Sequence, residues 1–166
     1  MDCNITSSLS CADHGFWMHI VQIYYMYNSE FRIFMSTMIG AVIGFEREIR
    51  GKAAGIRTYA IVAMGACLFT ILSRFAGGTH DTTRIAAQIV SGIGFLGAGV
   101  IWHKDGGVEG LTTAASLWGV AAIGMAIGYG FVSIALTSAV MVLIIMELFG
   151  WAVKTAKTFL KLKPEK

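Results

Sequence analysis

The placement of charge constrains this chain more than any other feature of its sequence. Between Phe31 and Val153 the charged residues gather in short clusters, and the stretches separating them are apolar. Five apolar runs stand out: roughly Phe31–Phe45, Thr58–Ser73, Ile85–Trp102, Leu111–Ile127 and Phe131–Met146. Each is somewhat short of the ~20 residues that cross a ~30 Å hydrocarbon core at ~1.5 Å per residue. Flanking residues such as Arg32, Arg57 and Glu147 are therefore expected at the interfaces, their long side chains reaching outward. Composition agrees. Of 166 residues, 14% are charged and 55% hydrophobic, against roughly 25% charged in an ordinary soluble domain. A soluble core of this size cannot hide that much apolar surface. The 20 glycines come with one proline, Pro164, in the tail, which suits closely packed helices and not a flexible linker. The expected fold is all-α, an integral membrane bundle of about five short transmembrane helices in one domain.

Orientation follows from the basic residues. Arg47, Arg50, Lys52 and Arg57 lie between the first two runs, Lys104 lies between the third and fourth, and five lysines (154, 157, 161, 163, 166) follow the fifth. The opposite side carries only Arg32, Arg74 and Arg84. Five crossings then put the N-terminus outside and the C-terminus inside. The net charge of +3 is too small and too scattered for a nucleic-acid partner.

Residues 1–29 form an N-terminal segment, 30–153 the transmembrane domain and 154–166 a basic cytoplasmic tail. No basic stretch precedes an apolar one at the start, so a cleaved signal peptide is not expected. Phe16, Ile20, Ile23 and Tyr27 recur at helical spacing among aromatic neighbours. The pattern suits an amphipathic helix lying in the headgroup region; the alternative is an N-terminal extension of the first span. Cys3 and Cys11 face the side where oxidation is possible, although two cysteines near a terminus are more often incidental. Cys67 falls within the second span, as a small packing residue. No metal-ligand spacing occurs, and no cofactor is expected.

Gly92-Ile93-Gly94-Phe95-Leu96-Gly97 matches the G-x-G-x-x-G dinucleotide fingerprint. That motif needs a preceding strand and a βαβ unit, and here it lies inside an apolar helical run. The cofactor meaning fails. Gly92, Gly94, Gly97 and Gly99 instead suit close backbone approach between membrane helices. At about 100° per residue, Gly92 and Gly99 share a face with Gln88, and Gly94 and Gly97 lie opposite. Glycines on two faces imply a third span sandwiched at the bundle centre; the alternative is local unwinding at membrane depth. Ser36, Gly40 and Gly44 form a small-xxx-small stripe in the first span, and Gly124 and Gly128 repeat the pattern in the fourth.

Polar candidates fall into two groups. In the segment Glu46-Arg47-Glu48-Ile49-Arg50-Gly51-Lys52, Glu46 and Arg50 are four apart in the favourable order for a helical ion pair. The segment is either an interfacial anchor or a functional site in which Glu46 faces the bundle and meets Arg57 beside Thr58. At the other side Asp81 is placed to cap the third span, with Arg84, Gln88 and Ser91 following it. Gln88 lies about one turn into an apolar run and wants a hydrogen-bonding partner. Thr112, Thr113 and Ser116 open the fourth span and could reach it only if helices tilt or shift. Ordinary interhelical hydrogen bonding explains this second group equally well.

The run from Arg84 to Ile101, RIAAQIVSGIGFLGAGVI, closely resembles the signature of the MgtC/SapB family of bacterial inner-membrane proteins. Gly110–Trp118 is similar to that family's next block. Gly40, Gly44-Phe45-Glu46-Arg47-Glu48 and Gly55-Ile56-Arg57-Thr58 resemble its first. The resemblance covers roughly residues 35–150. Many members carry a proline after the aspartate equivalent to Asp81, where this chain has Thr82. Many also continue into a soluble cytoplasmic domain, and no role for one is expected here. The resemblance implies a bacterial inner-membrane protein associated with survival under magnesium limitation and with virulence. It implies a regulator of other membrane machinery, including the proton-driven ATP synthase, more than a direct magnesium transporter.

Two functions are therefore expected to compete. One is a non-enzymatic interaction module, homodimeric through its glycine-bearing helices or bound to another membrane protein. The other is a small carrier of magnesium or another ion. Oxygen ligands would be needed for a magnesium path, and the five runs hold no carboxylate at mid-depth. No nucleophile–base pair suggests an enzyme, and His103 sits in a loop expected to be a solvated turn.

Overall fold

The computed structural model describes residues 8–76, 84–104 and 107–159, with side chains described over 28–75, 84–103, 107–151 and at Thr155. Its elements in chain order are α1 (Ser8–Ile49), α2 (Ile56–Ala76), α3 (Arg84–Gly99), β1 (Trp102–Lys104), β2 (Gly107–Glu109), α4 (Leu111–Tyr129) and α5 (Val132–Phe159). Each of the five apolar runs lies mostly in a helix, although the third outlasts α3 and ends in β1 at Trp102, and Phe131 of the fifth precedes α5. Three helices are long and apolar enough to cross a membrane, over Ile56–Phe75, Leu111–Tyr129 and Val132–Trp151, and α3 is a shorter apolar helix. The protein is a membrane helical bundle.

The side-chain contacts give the helix directions. Gly44 meets Ile56 while Gly40 meets Tyr59 and Ala63, so α1 and α2 run antiparallel. Tyr59 reaches Ser116, and Gly128 lies against Cys67 and Thr70, so α2 and α4 run parallel. The end of α1, the starts of α2 and α4, and Glu147 of α5 thus share one end of the bundle.

Three features decide between or correct the sequence expectations. The N-terminal stretch takes the second of its two expected forms, an extension of the first span: α1 runs unbroken for 42 residues. The physical reason is visible between Gly15 and Gly40, where no glycine or proline interrupts the helix. The segment around His103 is not a plain solvated turn. It is a two-stranded antiparallel hairpin in which Trp102 faces Glu109 and His103 faces Val108, and the Trp102 indole donates to the Glu109 carboxylate at 3.2 Å. Gly110 closes it at φ 93°, a left-handed conformation that turns the chain directly into α4.

The third difference concerns the centre. It is α4, not α3, that occupies it. Nine residues of α4 are buried, including Leu117, Val120, Ala121, Ile123 and Ile127. In α3 only Ala86, Ile93 and Gly97 are buried. The glycines explain the exchange. A Cβ at Gly124 would run into the Ala63 carbonyl, and one at Gly128 would stand 2.7 Å from Thr70 Cβ, so α4 approaches α2 as only glycine permits. At Gly92, Gly94 and Gly99 nothing lies within 4 Å. The helix α3 is continuous through these glycines, and they face outward.

The carbonyl end of α4 is finished with care. Gly130, at φ 92°, takes the left-handed position after the helix, with Gly130 N–H donating to Ile127 O and Phe131 N–H to Ala126 O. This double bond pattern is a Schellman motif. Arg32 donates to Gly128 O at 3.4 Å and Arg74 to Tyr129 O at 3.2 Å. Two cations on the negative end of a helix dipole are a favourable arrangement.

Candidate functional site

The densest set of ionisable side chains lies where α1 ends. Glu46 and Arg47 are neighbours in sequence, yet α1 brings both toward the bundle. Arg47 is 3% exposed and Glu46 14%, and the Arg47 guanidinium engages both Glu46 oxygens in a bidentate pair. Arg50, one turn on, pairs with Glu46 at 2.5 Å and also reaches Glu147 of α5. One guanidinium therefore bridges two carboxylates from two helices. Burial pushes the Glu46 carboxyl up, but the Arg47 hydrogen bond and the Arg47 and Arg50 charges outweigh it and hold the group below its usual range. Arg50 is raised, first through its bond to Glu147.

Deeper in, Tyr59 of α2 is fully buried and its hydroxyl meets that of Ser116 on α4. Ser116 also donates to Thr113 O at 2.9 Å. Since a serine has one proton to give, Tyr59 is the donor in the Tyr59–Ser116 bond. Thr113 itself is buried at the start of α4. Further along, Ser36 donates to Ala63 O at 2.8 Å and Thr70 to Ala66 O at 2.7 Å. Among the described residues no buried side-chain polar atom lacks a partner, so the α1–α2–α4 interior is electrostatically closed.

The structure separates several residues that the sequence placed together. Glu46 pairs with Arg47 and Arg50, and not with Arg57. Arg57 and Thr58 are exposed and line a polar recess with Glu48, Lys52, Ala53 and Gly55. There the Glu48 carboxylate accepts from Ile56 N–H at 2.9 Å and caps α2. Arg84, Gln88, Ser91 and Thr112 are exposed, and Ser116 is engaged with Tyr59, away from Gln88. Asp81 lies outside the described residues, as does Cys3. Gly40 and Gly44 are buried against α2, where an added Cβ would stand 2.6 Å from Tyr59 O and 2.7 Å from Ile56 Cα respectively. Gly97 alone of the α3 glycines meets a neighbour, Ala114, at 3.6 Å.

Sequence reasoning overlooked the Arg50–Glu147 bridge and the Tyr59–Ser116 bond. Glu147 looked like an interfacial flank, and nothing in the spacing of residues 97 apart pairs them. A signal for Tyr59 did exist: a tyrosine inside an apolar run needs a partner for its hydroxyl.

Known proteins resemble this chain in sequence over most of its length. The sequence profile described as the MgtC family matches residues 33–155. The chain is 42% identical over 126 residues to the Escherichia coli K12 protein named "Putative magnesium transporter YhiD", covering 71% of this chain and 59% of that one. It is 47% identical over 111 residues to protein MgtC of Brucella abortus, covering 67% of this chain and 47% of that one. It is 41% identical over 129 residues to protein SapB of Bacillus subtilis, covering 72% of this chain and 56% of that one. The chain thus spans between 47% and 59% of the length of these relatives. No solved structure matches. The matched segment begins inside α1 and contains the whole ionic cluster, the α4 centre and the exposed α3, and the chain belongs to the MgtC family.

Proposed function

We propose that this chain is a multi-pass, non-enzymatic protein of the bacterial inner membrane that supports adaptation to magnesium limitation by acting on other membrane proteins. The observation that carries this reading is the contrast between a closed interior and an open flank. Within the bundle, Glu46 is neutralised by Arg47 and Arg50, and the hydroxyls of Ser36, Tyr59, Thr70 and Ser116 are all engaged. A cation crossing between α1, α2 and α4 would have to break those pairs and would meet no free carboxylate. The flank formed by α3 is uncovered over most of its surface, as a helix that meets partners needs to be. A proton-driven ATP synthase is one membrane machine on which such a module would act.

The second reading is a carrier of magnesium, favoured by the printed name of the Escherichia coli relative. Reconstitution in liposomes separates the two. The expected result is no magnesium or proton flux above protein-free vesicles, with wild type, Glu46→Gln and Arg84→Ala indistinguishable. Flux in the wild type that either substitution abolishes would overturn the interaction reading.

A further inference from the structure

Where α1 hands over to α2, the charged side chains divide into two groups. Glu46, Arg47, Arg50 and Glu147 form a network of two arginines and two carboxylates, neutral as a whole. Lys52 and Arg57 stand outside it. They line a polar recess of about 480 Å³ with Glu48, Ala53, Gly55 and Thr58, within the range of about 300–1,000 Å³ for ligand sites. Lys52, Arg57 and Thr58 are exposed, and among the described residues neither cation forms an ion pair. Glu48, the one carboxylate in the recess, is turned to the backbone. It accepts from Ile56 N–H at 2.9 Å, and a Cβ at Gly55 would stand 2.6 Å from its oxygen. Two cations against one carboxylate leave the recess positive. The Thr58 hydroxyl is uncommitted as well. Thr37, Thr70, Thr137 and Thr155 each donate to the carbonyl four residues back. Thr58 stands in the first turn of α2, so residue 54 lies before the helix, and among the described residues Thr58 makes no such bond.

We propose that this recess binds a phosphate group, with the Arg57 guanidinium and the Lys52 ammonium as its cations and the Thr58 hydroxyl as a third donor. The proposal goes beyond the interaction-module reading and does not depend on it. A guanidinium offers two parallel N–H donors to two phosphate oxygens, and an ammonium adds a compact charge. Ile56 N–H is already taken by Glu48, so side chains and not the helix end carry the attraction. The surroundings point to a lipid as the source of the phosphate. The stretch of α2 that is long and apolar enough to cross a membrane opens at Ile56, which puts Arg57 and Thr58 at the level of the headgroups. Ile49, next to Glu48, and Ile61, one turn past Arg57, are both exposed. A headgroup seated on Arg57 would rest its acyl chains against such apolar side chains, whereas a soluble phosphate would leave them unused. Anionic headgroups are recognised by basic pockets at this depth.

Native mass spectrometry of the purified full chain in mild detergent tests this, with phosphatidylglycerol or phosphatidylcholine added at equal concentration and the retained lipid counted. The choline ammonium cancels the phosphate charge of the second lipid, so the wild type should retain phosphatidylglycerol in preference. Lys52→Gln and Arg57→Gln should each lower that retention about fivefold, the scale for one lysine or arginine at an anionic membrane surface. Thr58→Val should lower it less. Lys161→Gln removes the same charge from the tail and should leave retention unchanged. Thermal unfolding is the control for folding, and the exposed positions of Lys52 and Arg57 make both substitutions compatible with the fold. The same unfolding measurement, repeated on delipidated protein with inorganic phosphate, distinguishes the source. Stabilisation by inorganic phosphate without a preference between the lipids, and lost in Arg57→Gln, would keep the site and make its ligand a soluble phosphate. Equal retention of the two lipids with no effect of inorganic phosphate would overturn the proposal. So would retention that Lys52→Gln and Arg57→Gln leave unchanged, or that Lys161→Gln lowers as much as they do.

Discussion

At the scale of single residues, the interior of this protein is decided by which hydroxyl gives its proton to which acceptor. Ser116 spends its proton on Thr113 O, which obliges the buried Tyr59 to donate to Ser116. The two possible deletions are then unequal. Ser116→Ala orphans a buried O–H donor and should cost about 1–3 kcal/mol, whereas Tyr59→Phe removes a donor and leaves only a hydroxyl oxygen with one unused acceptor site. Tyr59→Phe should therefore cost less, apart from whatever packing shifts. Chemical unfolding in mild detergent checks the order; equal losses, or the reverse order, would contradict the assigned proton positions. The same logic explains why Arg47 survives at 3% exposure. Its guanidinium is covered by a bidentate carboxylate from the adjacent residue, so the burial of one ion is answered by the other.

At the scale of helices, glycine has two opposite uses in this chain. In α1 and α4 it is consumed by packing: Gly40, Gly44, Gly124 and Gly128 each stand where a Cβ would collide with α2. In α3 it is spent on an outer face. Substitution by alanine should divide the two classes. Gly40→Ala and Gly124→Ala force α2 away and should destabilise by about 1–3 kcal/mol, the range for overpacked interiors. Gly94→Ala meets nothing and should be neutral or mildly stabilising through helix propensity. Thermal unfolding of the three variants side by side is the test, and a destabilised Gly94→Ala would show that its face is packed after all. The spacing of small residues made the α1 and α4 stripes legible in the sequence, because a small-xxx-small repeat marks one face of a helix. The same spacing could not say which stripe meets a neighbour within the chain. That depends on the azimuth of each helix around its axis, which neighbouring helices set.

At the scale of the whole molecule, the ion pairs, the hairpin and the basic segment 47–57 gather at one end, and Arg32, Arg74 and Arg84 belong to the other. The excess of lysine and arginine at the first end predicts that it faces the cytoplasm. Cysteine labelling by a membrane-impermeant maleimide in spheroplasts, in a background with native cysteines replaced, should leave Val108→Cys unreacted until the membrane is opened. It should modify Phe131→Cys without opening. Labelling of Val108→Cys from outside would invert the topology. The arginines on the carbonyl end of α4 add a structural role to residues that charge counting treats only as topology signals.

Sequence by itself determined the solvent. Apolar runs bounded by charges admit a membrane bundle and little else, since every backbone polar group in hydrocarbon must be satisfied within a helix. The left-handed turns at Gly110 and Gly130 emerged only in the structure, at backbone angles that glycine alone takes without strain. The sequence also left rank within the bundle undetermined. The richest glycine cluster suggested α3 as the centre, and the tertiary structure gave that place to α4. The reason is geometric. Burial of a helix depends on how many neighbours it meets around its circumference, and α4 lies between α2, α3 and α5, while α3 sits at the rim beside an open groove. The ionic cluster was half legible for the same reason: Glu46 and Arg50 are one turn apart on one helix, but Glu147 reaches Arg50 only because α5 folds back beside the end of α1.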